Sequence, residues 1–444
     1  MEYKYREFEF QTDLSPFGLF QRIEGSCDHA FLLESLGEDS AFSRFTYIGA
    51  DPEKVIRGKG GEIEVSGEKV NVTSPYQELR TLLPRLDGLS THYHGGLVGY
   101  VAYDGTSYFE PAFSGRAHPV FPKFEFGLYL DGFLYDKFTE SFRYFTLDKD
   151  RRAHFRALLK SPHASSPFMV KRTSVDMDRK AYGKGFATVE GHIMAGDTFQ
   201  TVFSVGFEYA TEGNPLSVYE RLRQVNPSPH MYYLKFDKRI ALGASPELLF
   251  RTEGRMIEHF GTLAGTAKRG RDAREDRALA RQLQDDEKEV AEHMMLVDLA
   301  RNDVGKVAEF GSVHAEKLMT VKRYSHVQHL STEIRGLMKE GIDSFDVLAA
   351  CAPAGTLTGA PKIEAMKIID DIEQSPRGIY GGSVGYFSVN GDAMFAIAIR
   401  SLFVAGKRAY TRSGSGIVYD SLCEKEYAEI MAKHRAMETA LGIA

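Results

Sequence analysis

Two pairs of glutamates are spaced to act together: Glu289 with Glu292 in DDEKEVAEHMMLVDLARND, and Glu426 with Glu429 in CEKEYAEIMAKH. Both segments read as helices, and residues three apart share a helix face. Each pair therefore aims two carboxylates in one direction, and Lys433, four residues past Glu429, joins the second face. If the two helices face each other, the four carboxylates make an oxygen-rich site for a hard cation. Mg2+ prefers one or two carboxylates together with waters and an anionic substrate. The same spacing also fits two solvated, salt-bridged helix faces.

Two glycine-bearing loops offer a second kind of chemistry. AGTLTGAPK, Ala354 to Lys362, runs into a helix with Pro361 at its start, where free N–H groups and the helix dipole favour an anion. SGSG, Ser413 to Gly416, follows a strand and leaves the backbone open to a ligand. Neither is a P-loop, and a plain tight turn is the alternative for each. Arg400 shares a strand face with Ala396 and Ala398 in an apolar run. On an inner strand that cation must meet a carboxylate or an anionic substrate. In YSHVQH, His326 and His329 lack the HExxH spacing and a nearby third ligand. One of them suits a hydrogen bond to a leaving hydroxyl; otherwise they are polar strand residues. Glu247, after Ser-Pro in ALGASPELLF, sits at a strand turn. With no nucleophile elbow and no Cys near a His in sequence, the chain supplies no glutaminase of its own. These residues by themselves indicate a magnesium-using enzyme acting on a small polyanion.

The elements that must position them follow from periodicity. The first part of the chain alternates aromatic and polar residues in short runs, as in FPKFEFGLYLDGFLYDKFTESFRYFTL, the pattern of antiparallel strands with one face buried. From Leu159 to Val175 the residues LKSPHASSPFMVKRTSV show no period and read as a linker. It separates an N-terminal regulatory or structural domain, 1–160, from a catalytic domain, 176–444. Tyr182, Phe186, Val189 and Ile193 mark one helix face that stops near Gly196. Further helices are predicted over Arg274 to Leu299, from Pro361 onward, and over Glu424 to Leu441. Between the last two lies a meander of GGSVGYFSV, an Asn390-Gly391 turn, AMFAIAIRSLFV and RAYTRSGSGIV. GGLVGY at 95–100 echoes GGSVGY at 381–386. The expected fold is α/β of the α+β type: two antiparallel sheets facing each other with helices outside.

Composition bounds the function. The 444 residues carry 55 Lys and Arg against 61 Asp and Glu, a net charge of −6, which disfavours a nucleic-acid binder. The 43% hydrophobic and 26% charged residues are those of a globular chain. Three scattered cysteines, Cys27, Cys351 and Cys423, suit a reducing compartment. No apolar run reaches the roughly 18 residues of a membrane span, and MEYKYREFEF has no apolar core for a signal peptide. A cytoplasmic protein with no membrane contact is expected.

Taken in order between residues 241 and 429, ALGASPELLF, LAGT, DEKEVAEHMMLVDLARNDVGKV, RYSHVQH, AGTLTGAPKIEAMKIID, RGIYGGSVGYFS, AIAIR and GSGIVYDSLCEKEYAE resemble the chorismate-binding enzymes. Among these the likeness is greatest to the component I, or large-subunit, anthranilate synthases. It extends into the first domain at LLESLGEDSAFSRFTYIGADP and GGLVGYVAYD. The resemblance implies the sandwich fold of that component and amination of chorismate at C2. The C4 hydroxyl is lost, and pyruvate is then eliminated to leave anthranilate, as in tryptophan biosynthesis. Ammonia would come from a glutamine amidotransferase partner in a hetero-oligomer. Glu292 and Glu429 resemble magnesium ligands, with Glu289 and Glu426 as acids that hold metal-bound water. The ion would take the ring carboxylate, helped by Lys433. Arg400 and Tyr380 resemble the pair that grips the enolpyruvyl carboxylate. Gly414, Ser415 and Gly416 would close over the substrate, beside Gly265, Thr266 and Thr356. His329 resembles the histidine that hydrogen-bonds the departing hydroxyl, and Glu247 the acid that protonates it. That role asks for a carboxyl raised in pKa by a dry pocket.

Two positions choose among family members. Members that add water carry a lysine base where this chain has Gln200, which cannot remove a proton. Many aminodeoxychorismate synthases carry a lysine nucleophile where this chain has Ala264. Both choices favour anthranilate synthase over an aminodeoxychorismate synthase without its lysine, or over a non-catalytic tryptophan-sensing subunit. The chain departs from the family at Thr262, where proline is usual, and at Ala267-Lys268, where Arg-Pro is usual. Ser415 stands in place of alanine, and the arginine expected at or near Val205 is missing. The resemblance also implies a feedback site for tryptophan at Glu34, Ser35, Pro229 and Met231, with Arg44 nearby and His230 where tyrosine is usual. For LLES, a core strand ending at the surface is the alternative.

Overall fold

Among the described residues, two antiparallel sheets of twelve strands each lie face to face with helices outside them. The computed structural model describes residues 3–36, 43–160, 166–323 and 327–443. The first sheet runs Arg6–Glu9, Ser141–Thr146, Asp131–Asp136, Phe45–Ala50, His29–Glu34, His230–Phe236, Arg239–Ser245, Ser401–Ala405, Arg408–Ile417, Gln200–Glu212, Met169–Val175. The second runs Ala264–Lys268, Val327–Leu337, Met256–His259, Leu248–Glu253, Ala393–Ile397, Ser383–Ser388, Gly96–Val101, Phe124–Tyr129, Lys54–Lys59, Glu62–Val65, Glu68–Asn71. Gly359–Ala360 also joins the first by pairing with Gln200–Glu212, and His314–Arg323 joins the second by pairing with Val327–Leu337. Both sheets therefore take strands from either side of the expected boundary. The stretches 1–160 and 176–444 interlock, joined where His29–Glu34 pairs His230–Phe236 and where Gly96–Val101 pairs Ser383–Ser388.

Aromatic side chains fill the gap between the sheets. Phe31 of the first sheet meets Tyr129 of the second with ring centroids 4.7 Å apart, and Tyr47 meets Tyr386 at 5.9 Å. Such edge-on pairs add to the area they bury. Opposite Phe31 in register stands Gly49, where a Cβ would lie 2.3 Å from the Phe31 ring. On the far face of the first sheet pack helices Pro16–Glu24, Arg179–Ala195, Leu216–Val225 and Cys423–Leu441. Helices Pro75–Thr81, Glu287–Val307 and Ser344–Cys351 cover the second.

Several expectations change in detail. The helix predicted over Arg274 to Leu299 is two, Ala273–Asp285 and Glu287–Val307. Asp286 stops the first in extended geometry and caps the second, its carboxylate accepting from the Lys288 and Glu289 N–H groups. Part of the supposed linker, Met169–Val175, is an edge strand paired with Gln200–Glu212. Its exposed lysine and arginine suit an edge but hide the period of a strand. The GGLVGY and GGSVGY segments are neighbours in one sheet, Gly99 opposite Gly385, and do not belong to facing sheets. The run AMFAIAIRSLFV is two strands in different sheets, broken at 398–400. Gly196, in the left-handed region at φ 84°, ends its helix as predicted. Among the described residues no helix is long and apolar enough to cross a membrane.

Replacing Phe31 by Ala is expected to cost about 3–5 kcal/mol, read as a lower urea midpoint. A loss under about 1 kcal/mol would show that the two sheets are not locked at this point.

Candidate functional site

The chain changes sheets twice at adjacent places, and each change carries one of the singled-out residues. Strand Arg239–Ser245 lies in the first sheet and Leu248–Glu253 in the second, with Glu247 between them. Strand Ala393–Ile397 lies in the second and Ser401–Ala405 in the first, with Arg400 between. The two crossings run side by side. Ile397 N–H donates to the Glu247 carbonyl at 3.0 Å, and Ala244 N–H to the Arg400 carbonyl at 3.1 Å. Arg400 thus leaves the strand that was expected to hold it beside Ala398. It occupies the left-handed region at φ 52°, a conformation that bulky residues adopt at cost and mainly at functional sites.

A cavity of about 170 Å³ opens at these crossings. Glu247, His329, Thr356, Tyr380, Arg400, Gly414, Ser415, Gly416 and Lys433 line it, together with Leu263 and Arg412. Glu247 is 5% exposed, and burial pushes its carboxyl up to about 8. Its oxygen accepts from Thr356 Oγ1 at 3.2 Å and from Leu263 N–H at 3.4 Å. These bonds oppose the shift without cancelling it, so the group is a neutral acid at neutral pH. His329 Nδ1 donates to the Gly265 carbonyl at 2.9 Å, which fixes the tautomer with Nε2 as acceptor. Burial lowers its pKa, so the ring is neutral as well. Thr266 stands opposite His329 in register and Ala264 opposite Leu330. His326 lies outside the described residues.

The floor of the cavity depends on glycine. A Cβ at Gly414 would stand 2.8 Å from the Phe203 carbonyl and 3.1 Å from Tyr380 Oη; one at Gly416 would stand 2.4 Å from Gln200 Nε2. Gln200 is buried just behind the lining, and its Oε1 has no hydrogen-bond partner among the described residues. Lys433 pairs with Glu429 at 2.6 Å and donates to the Gly414 carbonyl at 3.1 Å. It thereby links the cavity to the acids. Arg412 is different: Ser204, Ser375, Asp176 and Glu373 take its donors, so it acts as wall.

The two acid-bearing helices converge. Glu292 is raised in pKa, by burial first and Glu289 next, and also by Glu426 and Glu429 on the other helix. Glu426 is raised too, by burial first, with Glu429 adding and the Ser421 hydroxyl opposing. The Glu289 carboxylate lies 2.9 Å from where a Cβ on Gly265 would stand, next to the strand that orients His329. Among the described residues, no three acidic, histidine or cysteine side chains are gathered closely enough to chelate a metal unaided. This donor set fits an ion that keeps waters and shares an anionic substrate.

A family model described as chorismate binding enzyme matches residues 28–439. The chain belongs to the chorismate-binding enzyme family. It is 46% identical to anthranilate synthase component 1 of Leptospira biflexa, over 99% of this chain and 96% of that one. Against the protein of that name from Methanothermobacter marburgensis it is 41% identical, over 97% and 93%. The crystal structure of anthranilate synthase component I from Streptococcus pneumoniae TIGR4 superposes with a TM-score of 0.80 at 32% identity, covering 90% of this chain and 93% of that one.

This chorismate-binding enzyme has a second cavity of about 110 Å³, lined by Glu34, Ser35, Pro229, His230 and Met231 with Phe45, Tyr47, Leu248 and Met394. Five of the six residues expected at a regulatory site thus meet there. Arg44 does not line it: its guanidinium pairs with Asp136 at 2.6 Å and stacks on Phe45. Glu34 accepts from Arg223 at 2.8 Å and from the Tyr219 hydroxyl at 2.9 Å. Burial lowers His230 to about 3. Two partners of the first cavity escaped the sequence reading. Lys322 stands opposite His329 in register, its charge reaching Glu247, and only strand pairing reveals it. Asp303 holds Lys362 in a buried pair at 2.5 Å, tying the helix of Glu289 and Glu292 to the AGTLTGAPK loop. Its signal is the LARND and GAPK segments, each of which places a charge beside apolar neighbours.

The raised Glu247 has a sign that stability measures. Below the ordinary glutamate range, near about 4.3, the carboxyl is neutral in folded and unfolded chains alike. Between there and about 8 only the unfolded chain ionises, so wild-type stability falls as pH rises and then levels off. Glu247→Gln removes that loss. Its unfolding free energy from urea titration should exceed that of wild type at pH 9 by on the order of a few kcal/mol, and the gap should close toward pH 4. A gap that does not change with pH would mean that the carboxyl is not held neutral.

Proposed function

We propose that this chain catalyses anthranilate synthesis from chorismate and ammonia, as the large subunit of a complex whose partner releases ammonia from glutamine. The observation that carries the reading is a neutral carboxylic acid and a neutral imidazole on one wall of a cavity that also holds Arg400 and Lys433. Chorismate has two carboxylates and a hydroxyl to lose, and each has a matching group here. Arg400 takes the enolpyruvyl carboxylate, with the Tyr380 hydroxyl beside it. Lys433 and the four glutamates face the ring carboxylate. Mg2+, when bound among those glutamates, supplies a positive anchor for that carboxylate.

His329 Nε2 accepts the O–H of the C4 hydroxyl and so turns a lone pair of that oxygen toward Glu247. As ammonia bonds to C2 and the ring double bonds shift, the C4–O bond breaks. The Glu247 proton goes to the leaving oxygen, which departs as water. An acid with a pKa near the working pH is suited to that transfer. The ammonium formed at C2 gives a proton back to the Glu247 carboxylate. The C2–H proton is then lost, and its electron pair makes the ring aromatic as the C3–O bond breaks. The released enolpyruvate takes up a proton at its methylene carbon to leave as pyruvate. Gln200 puts no base behind C2, and alanine at 264 puts no amine there, so ammonia is left as the nucleophile. The second cavity is read as the feedback site for tryptophan, with Phe45, Tyr47 and Met231 for an indole and Ser35, whose hydroxyl has no partner among the described residues, for a polar group.

With chorismate, MgCl2 and excess ammonium salt, the purified chain should release anthranilate and pyruvate in equal amounts, followed by anthranilate fluorescence and coupled pyruvate reduction. An aminated product that keeps its enolpyruvyl group would assign aminodeoxychorismate synthesis instead. No turnover by folded protein would leave a binding subunit. Glu292→Ala and Glu429→Ala should each lower magnesium-dependent turnover at least about 100-fold, beyond the loss typical of outer-shell partners. Near-normal rates in either variant would remove the metal assignment.

A further inference from the structure

The two cavities share a wall one backbone thick. Pro246 and Glu247 line the first cavity, and the next residue, Leu248, lines the second. From adjacent backbone positions, the reacting carboxyl and the Leu248 side chain therefore open into different cavities. The neighbouring crossing repeats the arrangement: Ala396, opposite Leu248 in register, lines the second cavity, and Arg400 lines the first. A register shift between Leu248 and Phe250 interrupts the ladder at this point, as bulges do where a strand is bent to aim a side chain.

A second link leads to the same carboxyl. His230 lines the second cavity and pairs in register with Ser245. The Ser245 hydroxyl grips the Glu247 backbone at both ends, donating to its carbonyl at 3.1 Å and accepting from its N–H at 3.3 Å. Leu248 is 4% exposed and Ser245 fully buried, so neither has slack to absorb a displacement, since packed interiors pass strain on.

We infer that Leu248 is a positioning residue for Glu247, through which whatever fills the second cavity shifts the acid in the first. The reading of the first cavity as the reaction site underlies this inference. The tryptophan assignment of the second cavity underlies only one arm of its test.

The first arm needs no ligand. Val384 lines the second cavity and is remote from the first, so Val384→Phe fills the space from the strand Ser383–Ser388. This variant should lose about tenfold in kcat/KM for the ammonia-dependent reaction, a typical coupling between sites. Adding Leu248→Ala, which removes the side chain that transmits the push, should restore most of that loss in the double variant. Because Leu248 and Val384 line one cavity, urea midpoints separate this from simple size compensation. Recovery of kcat/KM without a matching recovery of the midpoint supports the coupling, and parallel recovery of both refutes it. If Val384→Phe is harmless, or if Leu248→Ala leaves its loss unchanged or deepens it, the inference is wrong. Should Val384→Phe fail to fold, the second arm decides.

In that arm, L-tryptophan is titrated into wild type, Leu248→Ala and Leu248→Val by calorimetry and by inhibition assay. All three should bind it, while the factor by which it inhibits falls about tenfold in the alanine variant and less in the valine one. Tryptophan that binds Leu248→Ala and inhibits it as it does wild type would refute the coupling. Wild type that binds no tryptophan sinks the feedback reading of the second cavity, and the Val384→Phe arm then judges Leu248 alone.

Discussion

Everything in the site rests on two strands crossing from one sheet to the other side by side. A residue within a strand is held by a ladder on each edge; a residue between sheets depends on the partner crossing and on local ties such as the Ser245 hydroxyl at the Glu247 backbone. Glu247 and Arg400 hold each other's backbones through the Ile397 and Ala244 N–H groups. The acid that must stay dry and the cation that must meet an anion are therefore fixed relative to one another by main chain, not by side-chain contact. The left-handed Arg400 backbone is tolerated because the register of four strands on either side over-determines it.

Electrostatics divides the cavity along the same line. In the proposed reaction Arg400 and Lys433 draw an anion in, and Lys433 pairs with Glu429 of the acid-bearing helix. Glu247 lines the same cavity as Arg400 and Lys433, and its carboxyl is raised because desolvation outweighs the lysines that favour its charge. In that reaction the same side-chain type is a proton donor at one wall and an anionic ligand at another. Burial is the first cause of the raised pKa of Glu247, Glu292 and Glu426 alike, and only the last two also have carboxylate neighbours.

Much of this was legible in the sequence, and the failures have one cause. The glutamate pairs could be placed because i, i+3 spacing on a helix fixes a common face regardless of tertiary structure. Strand character was equally plain in the aromatic runs. Which sheet a strand joins was not, because a period of two says only that faces alternate. AMFAIAIRSLFV therefore read as one strand, and nothing local marks the break at 398–400. The supposed linker hid the strand Met169–Val175, whose exposed edge needs no apolar face. Asp286, which caps the second of two helices, went unread because the helical pattern continues across it on both sides. Arg44 was misplaced by proximity in sequence: it lies one residue from Phe45, which lines the second cavity, but its partner Asp136 turns it outward.

The departures from the family pattern have physical replacements close by. Thr262 stands where proline is usual, and its hydroxyl donates to the Thr332 carbonyl at 2.6 Å and accepts from the Thr332 N–H at 3.2 Å. It thereby pins the loop before LAGT to the strand that carries His329, a task proline would perform only by stiffening the loop. No arginine follows at Val205. The guanidinium at that point of the sheet belongs to Arg412 on the paired strand, and it passes over Gly206, where a Cβ would stand 2.8 Å from it. Ser415 in place of alanine adds a hydroxyl 3.5 Å from the Glu426 carbonyl, a tie between the cavity floor and the acid-bearing helix. Thr262 and Arg412 support the wall, and Ser415 alters the lining only by one hydroxyl turned toward the Glu426 carbonyl. A chain can therefore drift from its family at such places and keep Glu247, His329 and Arg400 in one geometry.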